Sequence, residues 1–163
     1  MSTVFEGILV DLGAAPDRFL IDAKMSDWVV RRIGTLVAAF PSSGSRSEFE
    51  VEITEQAKRL SGSYGTALLI RFDTREGKRS STVFRQGAIS QVFSDVDELW
   101  VMLDDEGEPT EDGKRFTTAE RDLLHANDPE RYEFETAVNA VELGLKAMGI
   151  RPDVWLEIER LAG

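Results

Sequence analysis

The sequence predicts an α+β domain in which an antiparallel sheet carries helices on one face. Apolar residues within 48–103 alternate with a period of two or form short apolar runs, and the connections between these segments are short. Residues 26–40 and much of the chain after residue 116 instead place apolar residues at helical spacing. Strands and helices therefore occupy largely separate parts of the chain, which favours α+β over an alternating α/β fold.

The N-terminal quarter predicts one strand and one helix. Residues 3–12 form a short apolar run rich in β-branched side chains, which is typical of a strand. Residues 17–25 fit a strand or a helix equally well. Residues 26–40 predict an N-terminal helix with Ser26 as N-cap and Pro41 as its stop. Its apolar face would contain Trp28, Val29, Ile33, Leu36, Val37 and Phe40.

The middle of the chain predicts an antiparallel β-meander of about four strands over roughly 48–103. Residues 48–54 alternate apolar side chains with glutamates, whereas residues 66–73 are nearly all apolar, as in a central strand buried on both faces. Residues 80–87 and 98–103 supply the remaining strands. Because the connections are short, we expect consecutive strands to pair.

The last third predicts two to three C-terminal helices packed on one face of that sheet. Thr117 and Glu120 have the spacing of a capping box. A second helix would begin at Pro129 and end at Gly149, and a short third would begin at Pro152. The buried face of the second helix would contain Phe134, Ala137, Val138, Val141, Leu145 and Met148.

Length and composition exclude several classes of protein. A chain of 163 residues with 42% apolar content fits a single globular domain over 1–163. Apolar runs are too short for a membrane helix, and the N-terminus lacks the cations of a signal peptide. The chain has no cysteine and one histidine, His125, which excludes disulfides, thiolate zinc sites and histidine-rich metal centres. We expect a cytoplasmic protein that does not bind membranes.

The net charge of −11 is concentrated in one segment. Residues 87–113 contain nine acidic residues and no cation. A field of this sign repels nucleic-acid backbones and attracts basic surfaces. The charge distribution therefore predicts a basic protein partner and no nucleic acid.

Residues 103–113 fit a solvated turn, a partner-facing surface or a cation site. A calcium loop of the EF-hand type needs acids at positions one, three and five, glycine at six and an acid at twelve. Counting back from Gly107 places Met102 at position one, and counting back from Gly113 leaves Ala119 at position twelve. The calcium pattern therefore fails, whereas Pro109 and the two glycines are typical of a turn.

The sequence offers few residues for catalysis. Asp95 and Asp97 have a spacing that can chelate a divalent cation, but three residues of pattern arise easily by chance. No glycine-rich phosphate loop and no nucleophile elbow is present. His125 is expected to be a partly exposed helix residue. We therefore predict no catalytic residue, no cofactor and no metal.

These observations predict a small acidic protein-binding protein, of the kind represented by immunity-type inhibitors of basic toxins and by chaperones for secreted effectors. Its acids are expected to cluster in space, with Trp100 as an aromatic anchor among them. The alternatives are a small carboxylate-dependent enzyme with a divalent cation and a domain whose acidity serves solubility only. The oligomeric state is open. The predicted partner-binding residues are Asp95, Asp97, Glu98, Trp100, Asp104, Asp105, Glu106, Glu108, Glu111 and Asp112.

Overall fold

The computed structural model describes residues 4–11, 28–41, 46–73, 78–128, 130–151, 153, 154, 156, 157 and 160. Its elements confirm the α+β class, with strands in two antiparallel sheets. The strands are β1 (Val4–Asp11), β2 (Trp28–Ile33), β3 (Leu36–Pro41), β4 (Thr66–Asp73), β5 (Lys78–Arg85), β6 (Ala88–Phe93), β7 (Leu99–Leu103), β8 (Arg115–Thr117) and β9 (Glu133–Val138). The helices are α1 (Arg46–Tyr64), α2 (Thr118–Asn127) and α3 (Ala140–Ala147), and a 3-10 turn, η1, spans Asp95–Asp97.

The larger sheet has six strands in the order β2-β3-β1-β4-β5-β6. Residues 66–73 form β4, which pairs with β1 on one side and β5 on the other. Ala67, Leu68, Leu69 and Ile70 are all buried. The prediction of a central strand buried on both faces is therefore confirmed, as is the strand predicted within residues 3–12.

Helices cover both faces of the larger sheet, not one face as predicted. On one face, α1 packs Ile53, Ala57 and Leu60 into a buried apolar cluster. On the opposite face, α3 packs Val141 and Leu145 into a second cluster. The run of apolar residues in β4 sends side chains into both clusters, and such a strand requires cover on both sides.

The predicted N-terminal helix over 26–40 is wrong, because its described residues form the hairpin of β2 and β3. Gly34 begins the two-residue turn with a φ of 62°, and glycine at this position is typical of a type II′ hairpin turn. Leu36 and Val37 lie in opposite apolar clusters. A strand buried on both faces is apolar at successive positions, so its residues also fit helical spacing.

The strand predicted over 48–54 is also wrong, because these residues lie in α1, a helix of 19 residues. The buried residues Ile53, Ala57 and Leu60 stand three and four positions apart, which is the spacing of one helix face. The alternation within 48–54 is thus a short stretch of a longer helical pattern.

Strand β6 forms one edge of the larger sheet and was not predicted. It follows β5 through a turn at Gln86 and Gly87, both of which have positive φ. A bulge in its pairing with β5 places Ile89 opposite Phe84 and Val92 opposite Thr82. Ile89 and Val92 therefore share the α1 side of the sheet, and both side chains are more than half exposed. No charged residue occurs over 86–94.

The smaller sheet has the order β8-β7-β9. Residues 98–103 contain the predicted strand, as β7, but it lies in this sheet and does not extend the meander. The described meander is limited to β4, β5 and β6 of the larger sheet. The physical reason is the 3-10 turn η1, which breaks the chain between β6 and β7 and redirects it.

The C-terminal helices are confirmed in part. The predicted capping box begins α2, since Thr117 Oγ1 accepts a hydrogen bond from the amide of Glu120 at 3.2 Å. The helix predicted from Pro129 is wrong over its first half, where Phe134 and Val138 are half-buried residues of β9. The helix begins only at α3, and Gly149 follows it with a φ of 75°.

Polar contacts join α3 to the larger sheet. Ser81 Oγ donates to the carbonyl of Ala140 at 2.7 Å, and Arg85 Nη2 donates to the carbonyl of Ala147 at 2.8 Å. Since α3 continues directly from β9 through Asn139, these contacts also connect the two sheets.

Two predictions fall outside the described part of the chain. These are the strand or helix over 17–25 and most of the short helix predicted from Pro152. In the part that is described, no helix combines the length and the apolar character needed to cross a membrane.

Candidate functional site

The connection between β7 and β8 is an ordered acidic loop, defined here as residues 104–113. A bridge between Leu103 and Pro109 extends the sheet into it. The amide of Asp104 donates to the carbonyl of Glu108 at 2.8 Å, and the amide of Thr110 donates to the carbonyl of Met102 at 3.0 Å. The acidic loop therefore begins as a small hairpin held by backbone hydrogen bonds.

Two aspartates hold the acidic loop in shape. Asp104 Oδ1 accepts hydrogen bonds from the amides of Glu106 at 2.9 Å and Glu108 at 3.0 Å. Such side-chain bonds to nearby backbone are the means by which aspartate stabilises turns. The carboxylate of Asp104 is thus used by the fold itself.

Asp112 has the same role at the far end of the acidic loop. Its Oδ1 accepts from the hydroxyl of Thr110 at 2.9 Å and from the amide of Lys114 at 3.2 Å. These two hydrogen bonds, the amide of Lys114 first, lower the pKa of Asp112 below its usual range. The two hydrogen bonds thus favour the ionised form of Asp112.

The other four acids of the acidic loop are exposed. Toward the described residues, the carboxylates of this set make no ion pair or hydrogen bond. They are Asp105, Glu106, Glu108 and Glu111. An ordered loop presenting four free carboxylates is suited to binding cationic groups at fixed positions.

Asp95 and Asp97 lie in η1, at the opposite end of β7 from the acidic loop. Five residues of strand separate the two places, which corresponds to about 17 Å. The predicted acidic residues therefore form two groups, not the single cluster expected. The carboxylate of Asp97 accepts from the amide of Ser94 at 2.8 Å, so it caps the turn. Among the described residues, no three acids or histidines stand close enough to hold a metal ion.

Glu98 is fully buried and does not belong to the acidic surface. Arg79 Nη1 lies 3.8 Å from its Oε1, and neither of its oxygens accepts a hydrogen bond of ordinary geometry from the described residues. Burial raises the pKa of Glu98, and this effect outweighs the lowering by Arg79 and by the backbone amide of Ala140. The ionised form of Glu98 is thus unfavourable in its buried position between η1, β5 and α3.

Trp100 packs against α2 and is only partly exposed. Its Nε1 donates to Thr118 Oγ1 at 3.0 Å, and the guanidinium carbon of Arg121 lies 4.0 Å from the ring centroid. The ring face is therefore covered by a cation of the same chain. Trp100 positions α2. Arg121 lies between the face of the indole ring that it covers and any partner that approaches this face.

His125 lies on α2 and is half-buried, as expected. Its Nε2 donates to the carbonyl of Tyr132 at 2.8 Å, and its ring meets Phe134 edge to face at 5.1 Å. These contacts give the only histidine of the chain a packing role.

Sequence reasoning missed two acids that the fold brings beside the acidic loop. The pairing of β7 with β9 places Glu133 opposite Leu103 and Glu135 opposite Val101, and both glutamates are exposed. They are separated from the acidic loop by about twenty residues of sequence, so only the strand pairing reveals their proximity. The alternation of the two glutamates with Phe134 over 133–135 is typical of a strand. The helical spacing of apolar residues after Pro129 predicts a helix there instead.

Comparison of this chain with protein-family models, with curated proteins and with solved structures finds no match.

Proposed function

We propose that this chain is a small acidic protein-binding protein whose acidic loop binds a basic partner protein. The observation that carries the proposal is the presence of four exposed carboxylates that make no ion pair or hydrogen bond of their own with the described residues, on a loop held by backbone and side-chain hydrogen bonds. Preorganised charges bind at a smaller entropic cost than mobile ones. Glu133 and Glu135 extend the negative surface along β9.

An immunity-type inhibitor of a basic toxin and a chaperone for a secreted effector both fit this proposal, in a cytoplasmic setting. Electrostatic attraction serves either role, since complementary charge raises association rates by roughly 10- to 1000-fold. The two roles differ in the state of the partner: an inhibitor blocks the activity of a folded toxin, whereas a chaperone holds its partner for later release. Among the described residues, no three acids or histidines stand close enough to hold the divalent cation of the alternative, a carboxylate-dependent enzyme.

The test compares two double variants that change the net charge equally. Asp105→Lys with Glu106→Lys reverses the acidic loop without touching Asp104 or Asp112. Glu55→Lys with Glu157→Lys is the control, because these side chains are also exposed, at 65% and 51%, but lie elsewhere. The partner is recovered by affinity capture from the native cell, and association rates are measured at two ionic strengths.

The loop variant should associate about tenfold more slowly than wild type at low salt, and the control should stay close to wild type. The wild-type rate should fall as salt rises, because ions screen the attraction. Equal rates for the two double variants would show that overall charge, not the acidic loop, governs association.

A further inference from the structure

Strand β7 is apolar at every position, with the sequence Leu-Trp-Val-Met-Leu, and each of these residues is half-buried. Antiparallel strands with one solvated face normally alternate apolar and polar residues. A continuous apolar run is instead typical of a strand that is covered on both faces. The composition of β7 is thus typical of a strand that has packing partners on both of its faces.

Helix α2 supplies the cover on one face. Trp100 contacts α2 through Thr118 and Arg121. On the same face, the rings of Phe116 and Phe134 meet edge to face at 5.4 Å. In the described part of the chain, α2 is the helix that packs against β7.

The opposite face presents Leu99, Val101 and Leu103, named here the apolar stripe. Strand pairing places Arg115 and Glu135 on either side of Val101. Both flanking residues are exposed. Within the described residues, the principal helix contact of β7, with α2, is made on the other face.

The charges bordering the apolar stripe are mainly negative. Glu133 and Glu135 follow its β9 side, and the acidic loop begins directly after Leu103. On the β8 side, the cations are Lys114 and Arg115. An occupant with apolar residues over the apolar stripe and cations toward β9 and the acidic loop would match this surface.

The dimensions suit a helix. Three strands spaced by about 4.8 Å give a sheet roughly 10 Å wide between its outer strands, which is close to the diameter of a helix with its side chains. From Leu99 to Leu103 the apolar stripe spans about 14 Å, or between two and three helical turns. The same sheet already accepts a helix, α2, on its other face.

We propose that the apolar stripe is the docking surface for a basic amphipathic helix of the partner protein. The inference rests on the proposed function and deepens it, since it identifies the part of a basic partner that binds. The apolar residues of that helix cover Leu99, Val101 and Leu103, and its lysines or arginines face Glu133, Glu135 and the acidic loop. Apolar contact supplies the affinity, and the acids fix the direction of the helix.

The experiment uses the full chain and a synthetic amphipathic helix of leucine and lysine, about four turns long. A helix of the same pattern with glutamate in place of lysine is the peptide control. Methyl NMR should show the resonances of Leu99, Val101 and Leu103 shifting with the lysine peptide, while Leu123, exposed on α2, stays unchanged. The glutamate peptide should shift none of them.

Two variants test the apolar stripe directly by peptide affinity. Leu103→Lys places a like charge against the peptide, and Val101→Thr removes apolar surface while keeping a strand-forming shape. Both should weaken binding, Leu103→Lys by about tenfold or more. Leu123→Lys is the matched control and should bind as wild type does. Thermal melts verify that each variant is folded.

Two outcomes count against the apolar stripe, and a third separates it from the acidic loop. Unchanged affinity in Leu103→Lys and Val101→Thr, with binding lost in the Asp105→Lys, Glu106→Lys double variant, overturns this inference and leaves the proposed function standing. No shift of the methyl resonances with the lysine peptide overturns it as well. Binding lost in the stripe variants but retained in the loop variant supports the inference and contradicts the role of the acidic loop.

Discussion

At the scale of single residues, the same side chain has opposite uses at different positions in the acidic segment. The carboxylates of Asp104 and Asp112 accept hydrogen bonds from backbone amides in or beside the acidic loop, whereas Asp105 and Glu106 remain exposed. Glu98 is withdrawn altogether into a buried position beside Arg79. The sequence reveals the number of acids but not these assignments, because each depends on which backbone amide or neighbouring strand lies within reach.

Glu98 makes the stability of the protein depend on pH in a specific direction. Because burial raises its pKa, the folded protein binds a proton at Glu98 more tightly than the unfolded chain does. The ionised carboxylate of Glu98 therefore lowers the free energy of unfolding at neutral pH. This destabilisation disappears as the pH falls through the raised folded-state pKa toward 4.5, the ordinary pKa of a glutamate. The charged groups that act on Glu98 are Arg79, Asp95 and Arg121.

Glu98→Gln removes the charge and nearly keeps the shape. The stability of this variant relative to wild type should be greatest near neutral pH and should decline as the pH approaches 4.5. Denaturant unfolding over this range measures the difference. The matched variant Glu55→Gln, at an exposed position, measures the effect of removing a carboxylate that is not buried. A relative stability of Glu98→Gln that increases toward acid pH would contradict the assignment.

At the scale of elements, local patterns predicted some segments and failed at others for an identifiable reason. β4 and the start of α2 were predictable, because a long apolar run and a capping box are local signals. The β2–β3 hairpin and α1 were exchanged in type, since short windows satisfy both periods. In each case, packing against elements distant in the sequence determined whether the segment formed a strand or a helix. A short stretch of sequence does not contain that information.

The close approach of α3 to β5 gives an element-level prediction. A Cβ added at Gly144 would lie 2.8 Å from Ser81 Cβ and 2.9 Å from Leu68 Cδ1. Gly144→Ala should therefore lower the free energy of unfolding by about 1–3 kcal/mol, although alanine is the better helix former.

Gly62, in α1, is the matched control because nothing lies within 4 Å of its added Cβ. Gly62→Ala should raise the free energy of unfolding by up to about 1 kcal/mol. Denaturant unfolding of the two variants makes the comparison. Stabilisation by both would mean that α3 packs less tightly against β5 than the structure indicates.

At the scale of the whole molecule, α3 connects two sheets that share no strand pairing. It continues the chain from β9 and buries Leu145 in the core of the larger sheet. This connection, like the position of Glu133 beside Leu103, could not be predicted from the sequence, because both depend on pairing across tens of residues.

The connection predicts that the two sheets unfold together. Leu145→Ala should lower the free energy of unfolding by about 2–5 kcal/mol. In a background with Trp28→Phe and Trp155→Phe, the fluorescence of Trp100 reports the smaller sheet. The denaturation midpoint measured by Trp100 fluorescence should shift as far as the midpoint measured by circular dichroism, as in a two-state transition. A Trp100 midpoint that stays in place would show that the smaller sheet unfolds independently.

Within the described residues, β6 is an edge strand of the larger sheet, and this edge gives the acidity of the protein a second effect. An exposed edge strand can template pairing with another chain, and proteins commonly block such edges with charges. No charge occurs over 86–94, where Ile89 and Val92 are exposed. Electrostatic repulsion between molecules of net charge −11 therefore opposes edge-to-edge nucleation. High salt screens that repulsion and acid removes its source, so both conditions should favour assembly through β6 while the fold is still intact.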